Sequence, residues 1–314
     1  MTTYACPAAC AHCLYASSPK TRGRFMDAQT ARMIASNLKR MGAHSVHIGG
    51  GEPFLHMPAL RATIDALREA NIGIDYIETN AFWARNIDRA REIIRALGAP
   101  IMVSVDPFHV EYIALSRPLS LIRLLEEMRW DHFVWQDRYI PKLLPLDHAR
   151  PIPRASLEAH LGNDYRMETA REYGLSANGR ALTILRESLP RQRAEELLDD
   201  RACRLLNGVH CHIDHFGNFV PPGCPGIAIS IRDLAAGAVD PATYPVATRL
   251  MAGGVRALWD YAIERGFAPD TAGYVTKCEL CYFMRDFLSQ HHPTPDIAPD
   301  CFYESMRESY AQHT

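Results

Sequence analysis

The chain has 314 residues, of which 47% are hydrophobic and 22% charged, and its 34 Lys+Arg against 36 Asp+Glu leave a formal charge of -2. A chain of this length and composition builds a packed core of one large domain with or without an appendage, which excludes a disordered chain or a coiled coil. With a pI near 6.7 there is no global basic field for a phosphate backbone, and no apolar run reaches the ~18 residues of a membrane span. A soluble, cytoplasmic protein without nucleic-acid or membrane partners is the expectation.

From residue 2 to about 190, short apolar runs alternate with longer amphipathic ones, the pattern of βα units around a parallel sheet. The predicted strands are Thr2–Cys6, Ser45–Ile48, Ile74–Thr79, Ile101–Val105, His132–Tyr139 and Ala181–Leu185. Between them, Asp27 reads as the N-cap of a helix running to Gly42 with Met33, Ile34 and Leu38 on one stripe. Leu60, Ile64 and Leu67 mark a second helix. Asn86 caps a third, with Ala90, Ile93, Ile94 and Leu97 inward before Gly98, and Leu121, Leu124, Leu125 and Met128 stripe a fourth. Six such units fall short of an eight-fold barrel, so an α/β chain with an open, partial (β/α)6 TIM-like barrel is expected over residues 1–190.

After residue 190 the rhythm changes, and residues 191–314 are expected to form a small α+β domain. Residues 186–201 read as a charged helix leading to Cys203. Phe216-Gly217-Asn218 supplies turn chemistry for a short hairpin across residues 211–224. Helical stretches follow at Val246–Ala252 and Arg256–Arg265, and Phe302, Tyr303, Met306 and Tyr310 sit at helical spacing in a C-terminal docking helix.

Nine cysteines without a signal peptide argue for metal binding rather than a secreted disulfide framework. Cys6, Cys10 and Cys13 lie in one loop after the first predicted strand, where a barrel's active face opens. A cubane [4Fe–4S] cluster normally takes four Cys ligands, so three leave one iron open to a substrate or cofactor. The alternative is a structural zinc loop completed by His12 or a distant Cys. Gly49-Gly50-Gly51-Glu52-Pro53 follows the second strand; the glycines permit close backbone approach to a ligand, and the carboxylate accepts from an ammonium group.

These residues resemble the radical S-adenosylmethionine (SAM) enzymes. The resemblance is carried by Cys6/Cys10/Cys13 with His12 at the ring position, Gly50-Gly51-Glu52-Pro53, Glu78-Thr79-Asn80 and Ser104-Val105-Asp106, in the family's order over residues 2–190. It implies a partial (β/α)6 barrel and a [4Fe–4S] cluster on Cys6, Cys10 and Cys13 whose open iron binds SAM. It implies that Gly50, Gly51 and Glu52 hold the methionine ammonium of SAM, with His12, Ser104 and Asp106 as further SAM contacts. It further implies reductive cleavage to methionine and a 5′-deoxyadenosyl radical that abstracts a substrate hydrogen, with an external electron donor such as flavodoxin or ferredoxin. Strand-end capping is the competing reading of Ser104 and Asp106. Phe82, Trp83, Phe108 and Tyr112 stand either as cavity lining or as plain packing. Asp106, His109 and Glu111, and Gln136, Asp137 and Arg138, stand either as active-face groups or as solvated clusters.

In the last third, Cys203, Gly208, Ile213-Asp214, Gly217-Asn218, Pro221 and Cys224, with Cys278-x-x-Cys281, resemble the auxiliary-cluster domains called SPASM or twitch. Four thiolates from Cys203, Cys224, Cys278 and Cys281 suit one auxiliary [4Fe–4S] cluster; a structural zinc is the alternative. Cys211 competes with Cys203 for ligation, and Cys211 or Cys301 is left as a free thiol. Ser17-Ser18-Pro19, Asn80-Ala81-Phe82-Trp83 and Ser104-x-Asp106-x-x-His109 resemble a subgroup containing peptide epimerases, in which a thiol such as Cys211 would return a hydrogen atom. The one cysteine of Pro222-Gly223-Cys224-Pro225, where that subgroup carries adjacent cysteines, tells against epimerisation. With five residues before Cys6, no leader-recognition domain is expected ahead of it. A ribosomally made peptide is the leading substrate, a small metabolite the rival, and a metal-binding scaffold the non-enzymatic alternative.

Overall fold

The computed structural model describes residues 1–21, 24–172, 178–206 and 211–312. Gly208, part of the auxiliary-domain resemblance, lies outside them. The chain forms two compact units: Met1–Cys10, Ser17–Thr169 and Asp214–Gly217 in one, and Ala11–Ala16, Ala170–Ile213 and Asn218–Thr314 in the other.

In the first unit, α1 (Ala28–Arg40), β1 (Ser45–Ile48), α2 (Met57–Glu69), β2 (Gly73–Thr79), α3 (Ile87–Leu97), β3 (Ile101–Ser104), the short α4 (Pro107–Val110), α5 (Ser116–Glu127) and β4 (His132–Trp135) follow one another. The four strands pair in parallel in sequence order, with Ile77 opposite Ile101 and Met102 opposite Phe133. The helix stripes expected from periodicity are the buried faces: Leu60, Ile64 and Leu67, then Ala90, Ile94 and Leu97, then Leu121, Leu124 and Leu125. With Ile77, Ile101 and Val103 of the strands they form an apolar layer, each fully buried aliphatic side chain contributing roughly 1.5–3 kcal/mol. Asp27 Oδ1 accepts from Thr30 N at 2.8 Å and Asn86 Oδ1 from Arg89 N at 3.0 Å, so both expected caps are present. Beyond β4 come α6 (Ile140–Leu143) and α7 (Arg154–Leu161), and α8 (Tyr165–Glu172) runs across the division between the units.

The second unit holds α9 (Ala181–Ser188), α10 (Ala194–Leu197), an antiparallel sheet of β5 (His212–Ile213), β6 (Asn218–Val220) and β7 (Ile229–Ser230), then α11 (Ile231–Ala236), α12 (Pro245–Ile263), α13 (Lys277–His291) and α14 (Asp300–Ala311). The expected hairpin is β5–β6, with the Asp214–Gly217 turn that joins them counted in the first unit. α14 buries Phe302, Tyr303, Met306 and Tyr310 as its spacing requires.

Four expectations are corrected. Ala181–Leu185 is helical rather than extended, and a short apolar run with four consecutive buried residues does not reveal its period. Thr2–Cys6 forms isolated bridges, Thr3 with Phe25 and Ala5 with Ser18, instead of a sheet strand. The fifth predicted strand stops at Trp135, because Gln136 turns into left-handed backbone at φ 67° and starts a 3-10 turn. The charged helix at 186–201 breaks where Leu189 goes extended ahead of Pro190, leaving its first three residues as the end of α9 and four more as α10. The α/β class holds, with four parallel strands rather than six among the described residues. The two helices expected at Val246–Ala252 and Arg256–Arg265 are the two halves of α12, which break at non-helical Gly253-Gly254; Gly254 has φ 62°, and a Cβ there would strike the Arg201 carbonyl.

Candidate functional site

Cys6 and Cys10 are both buried in the first unit, at 8% and 6% exposure. Three backbone bonds lay the glycine-glutamate run along the chain that precedes them: Thr2 N to Gly49 O, Gly51 N to Thr3 O, and Glu52 N to Ala5 O, at 2.8–3.1 Å. A Cβ on Gly51 would collide with the Ala5 carbonyl, so its glycine serves this close approach of two backbone segments. The run thereby fixes Glu52 beside the segment that leads to Cys6.

Glu52 is 1% exposed and well served. Its Oε1 accepts from Phe54 N at 3.2 Å and Thr79 Oγ1 at 3.0 Å, and its Oε2 accepts from Asn80 N at 2.8 Å. One acceptor position on Oε2 is left over among the described residues. Burial pushes the carboxyl up to about 7, against the pull of those three donors. Asn80 also turns its side chain to the cysteine loop, with Nδ2 donating to Cys6 Sγ at 3.5 Å. Thr79 Oγ1 accepts from Trp83 Nε1 at 2.9 Å, and Trp83 stacks on Phe54 with centroids 4.3 Å apart. Trp83 is therefore packing for this network and Phe108 is core at 0% exposure, while Tyr112 is exposed.

At the end of β3, Ser104 is half-buried with Oγ 3.6 Å from Met102 Sδ. Asp106 caps α4: its Oδ1 accepts from Phe108 N and His109 N, and its Oδ2 lies 2.6 Å from His109 Nδ1. Burial alone would lower His109, but Asp106, and behind it Glu52 and Glu78, raise its pKa above the ordinary value. Glu78 faces His47 Nε2 at 3.3 Å and is pushed up to about 7 by burial. Glu111 takes a hydrogen bond from Tyr165 at 3.2 Å, and Arg138 Nε donates to Gln136 Oε1 at 2.8 Å in an exposed setting.

His12 and Cys13, both half-buried, belong to the second unit. The Cys13 carbonyl accepts from Ala16 N and Arg180 N, which fixes a tight turn there.

The late cysteines form a second group. Cys278 and Cys281 lie three apart on α13, whose N-cap Thr276 accepts from Glu279 N at 3.1 Å. Cys203 N donates to Leu250 O of α12 at 2.8 Å, and Cys224 closes a turn on Pro221 O at 3.0 Å. Burial, then the nearby Cys281 and Cys278, push Cys203 up to about 11 and Cys224 up to about 12, with Cys203 itself also acting on Cys224. Cys278 is raised by burial and Cys281, and takes a hydrogen bond from Asn178. The four sulfurs therefore lie within electrostatic reach of one another. The Cys211 thiol is raised by burial alone.

All nine cysteines are free of disulfides. Four neighbouring thiols, Cys281 buried and Cys203, Cys224 and Cys278 half-buried, are the donor set a thiophilic centre needs, because the metal displaces the protons. The residues fit a four-thiolate cluster in the second unit. In the first unit, two buried cysteines and an amide N–H aimed at one sulfur fit part of a ligand loop.

Residues 1–130 match the family model described as the Radical SAM superfamily. That segment is similar to radical SAM domains. Over 128 residues the chain is 23% identical to the "Putative peptide biosynthesis protein YydG" of Bacillus subtilis strain 168, covering 40% of this chain and 39% of that protein. It is 49% identical over 51 residues to the "Mycofactocin maturase MftC" of Mycolicibacterium smegmatis, covering 16% of this chain and 13% of that one. The chain thus spans well under half the length of the curated relatives it matches. Among solved structures, "Native anSMEcpe with bound AdoMet" aligns with TM-score 0.43 at 14% identity over 92% of this chain and 95% of that one. "Crystal structure of Streptococcus suis SuiB bound to precursor peptide SuiA" aligns with TM-score 0.38 at 15% identity over 86% and 74%.

Within the matched segment, Thr79 and Asn80 hold Glu52, and sequence reasoning named them only as a motif. The signal was their place at the end of a strand opposite a glycine-glutamate run. Among the described residues no helix is long and apolar enough to cross a membrane.

Proposed function

We propose that this chain is a radical SAM enzyme that modifies a peptide. Cys6, Cys10 and Cys13 would hold the first [4Fe–4S] cluster, and Cys203, Cys224, Cys278 and Cys281 an auxiliary one. The bound cluster and SAM supply reductive cleavage and the hydrogen-abstracting 5′-deoxyadenosyl group. The observation that carries this reading is the double role of Asn80: one residue at the end of β2 donates to Cys6 Sγ through its side chain and to Glu52 through its backbone. It holds the thiolate and the carboxylate in one frame.

Glu52 would receive the SAM ammonium on the remaining acceptor position of Oε2, with Gly50 and Gly51 setting the backbone path and His12 and Ser104 as further contacts. Asp106 holds the His109 ring, and the pair supplies a proton-holding group near the end of β3. The peptide assignment is supported by two relatives, a protein named for peptide biosynthesis and one named as a maturase. Cys211, outside the four-cysteine set, is left as the thiol that would return hydrogen in an epimerising reaction.

The test is anaerobic reconstitution followed by dithionite and SAM. Formation of 5′-deoxyadenosine by the wild type, and its disappearance in Cys10→Ala, is the expected result. Cleavage that survives Cys10→Ala contradicts the reading.

A further inference from the structure

Arg285 lies on α13 four residues after Cys281 and seven after Cys278, so all three occupy one helix face. It is 3% exposed. Its Nη1 donates to Pro225 O at 2.8 Å and to Tyr303 Oη at 3.1 Å, and Tyr303 Oη in turn donates to Gly226 O at 2.6 Å. The chain that follows Cys224 is thereby tied to the two helices behind it.

The guanidinium has no carboxylate ion pair among the described residues; the neighbouring Asp286 is engaged by Arg307 at 2.7 Å. After Tyr303, the electrostatic neighbours of Arg285 are the thiols of Cys281 and Cys224: Cys281 lies one turn earlier on the same helix face, and the Pro225 carbonyl that Arg285 holds directly follows Cys224. Its Nε is buried with no acceptor. A buried arginine is always charged, and neutral thiols do not compensate for its lost hydration. A cluster held by four thiolates is a net anion, and one-electron reduction adds to its negative charge.

We infer that Arg285 is a positioning residue for the auxiliary cluster, whose buried cation holds the Cys224 loop and raises the cluster's reduction potential. The inference rests on the four-cysteine assignment above. The physical reason is Coulombic: a fixed cation against the cluster's sulfurs favours the more negative, reduced state, and the dry surroundings leave that preference weakly screened. An electron from a low-potential one-electron carrier then finds this site easier to reduce than it would with a neutral residue at 285.

The experiment uses the full chain, reconstituted anaerobically, with Cys6, Cys10 and Cys13 changed to Ala so that the second cluster is read alone. Iron is counted, and an EPR-monitored titration gives the midpoint potential. Arg285→Met should retain about four irons and shift the reduction equilibrium about tenfold toward the oxidised form, ~59 mV lower for one electron. Arg285→Lys, which keeps the charge, should stay within about threefold of the parent, under ~30 mV by the same conversion. A fully loaded Arg285→Met with an unchanged midpoint overturns the inference. Where Met does not load, Arg285→Gln is read by the same criterion. If neither neutral variant loads but Lys does, the charge requirement is upheld; if Lys also fails, the inference is overturned. Full iron in Cys281→Ala would instead remove the cluster assignment, an outcome distinct from any change at Arg285.

Discussion

The two cysteine groups are built in opposite ways. Cys6, Cys10 and Cys13 come from eight consecutive residues, and the support for Cys6 arrives from far along the chain, through Asn80 and the glycine-glutamate run. Cys203, Cys224, Cys278 and Cys281 are gathered from a loop, a turn and a helix, and each is fixed by its own local anchor: Leu250, Pro221 and the Thr276 cap. A local loop presents its sulfurs with little help from tertiary structure, so its chemistry is decided by what surrounds it. A dispersed set exists only when the unit is folded, so metal binding there is linked to folding.

Mutation should separate these two modes. The largest expected effect is in the dispersed set: Cys281→Ala should lose about half of roughly eight irons, one cubane of two. Cys211→Ala should lose none, with iron per chain as the readout. Equal losses from both would dissolve the distinction between ligand and bystander thiol. Next is Asn80→Ala, which removes the N–H donor to Cys6. A hydrogen bond to a charged group is worth about 1.5–3 kcal/mol, so SAM cleavage should slow roughly 10- to 100-fold, measured as 5′-deoxyadenosine per unit of iron. No change would show that the loop supports itself.

A smaller effect is expected from pH. The Glu52 carboxyl titrates near 7, above its ordinary value, so it is protonated below that pH and unable to pair with an ammonium group. SAM binding should weaken by up to about tenfold per unit as pH falls below 7, and level off above it. Glu52→Gln should bind weakly at all pH values with no such slope, as read by equilibrium binding at pH 6 and pH 8. The same raised pKa has a stability consequence of opposite sign. The uncharged acid is the form the fold favours, so its contribution is complete below the unfolded value of 4.5 and is lost as pH rises through about 7. Unfolding of the apo-protein should show this loss, and Glu52→Gln should lack it.

How much the sequence revealed follows the same contrast. Periodicity located α2, α3 and α5 and their buried faces, and Asp27 and Asn86 announced two helix starts, because these are properties of neighbouring residues. The Phe216-Gly217-Asn218 turn was equally local. Ala181–Leu185 misled, since four buried residues in a row carry no period and packing decides their conformation. Pro190 was the readable signal that the 186–201 helix must break. In the site, Cys6, Cys10, Cys13 and Glu52 were legible as a motif, whereas two of the three donors that hold Glu52, Thr79 and Asn80, come from the end of the neighbouring strand β2. Arg285 was illegible: an arginine four residues after a cysteine on a helix is ordinary until burial and the absence of a carboxylate are seen.

The most direct test of the central claim uses Cys281→Ala, in which the first cluster stands alone, reduced under anaerobic conditions and examined by EPR before and after SAM is added. The account predicts a SAM-dependent change in the signal together with 5′-deoxyadenosine formation. A signal indifferent to SAM, with no nucleoside released, would contradict it.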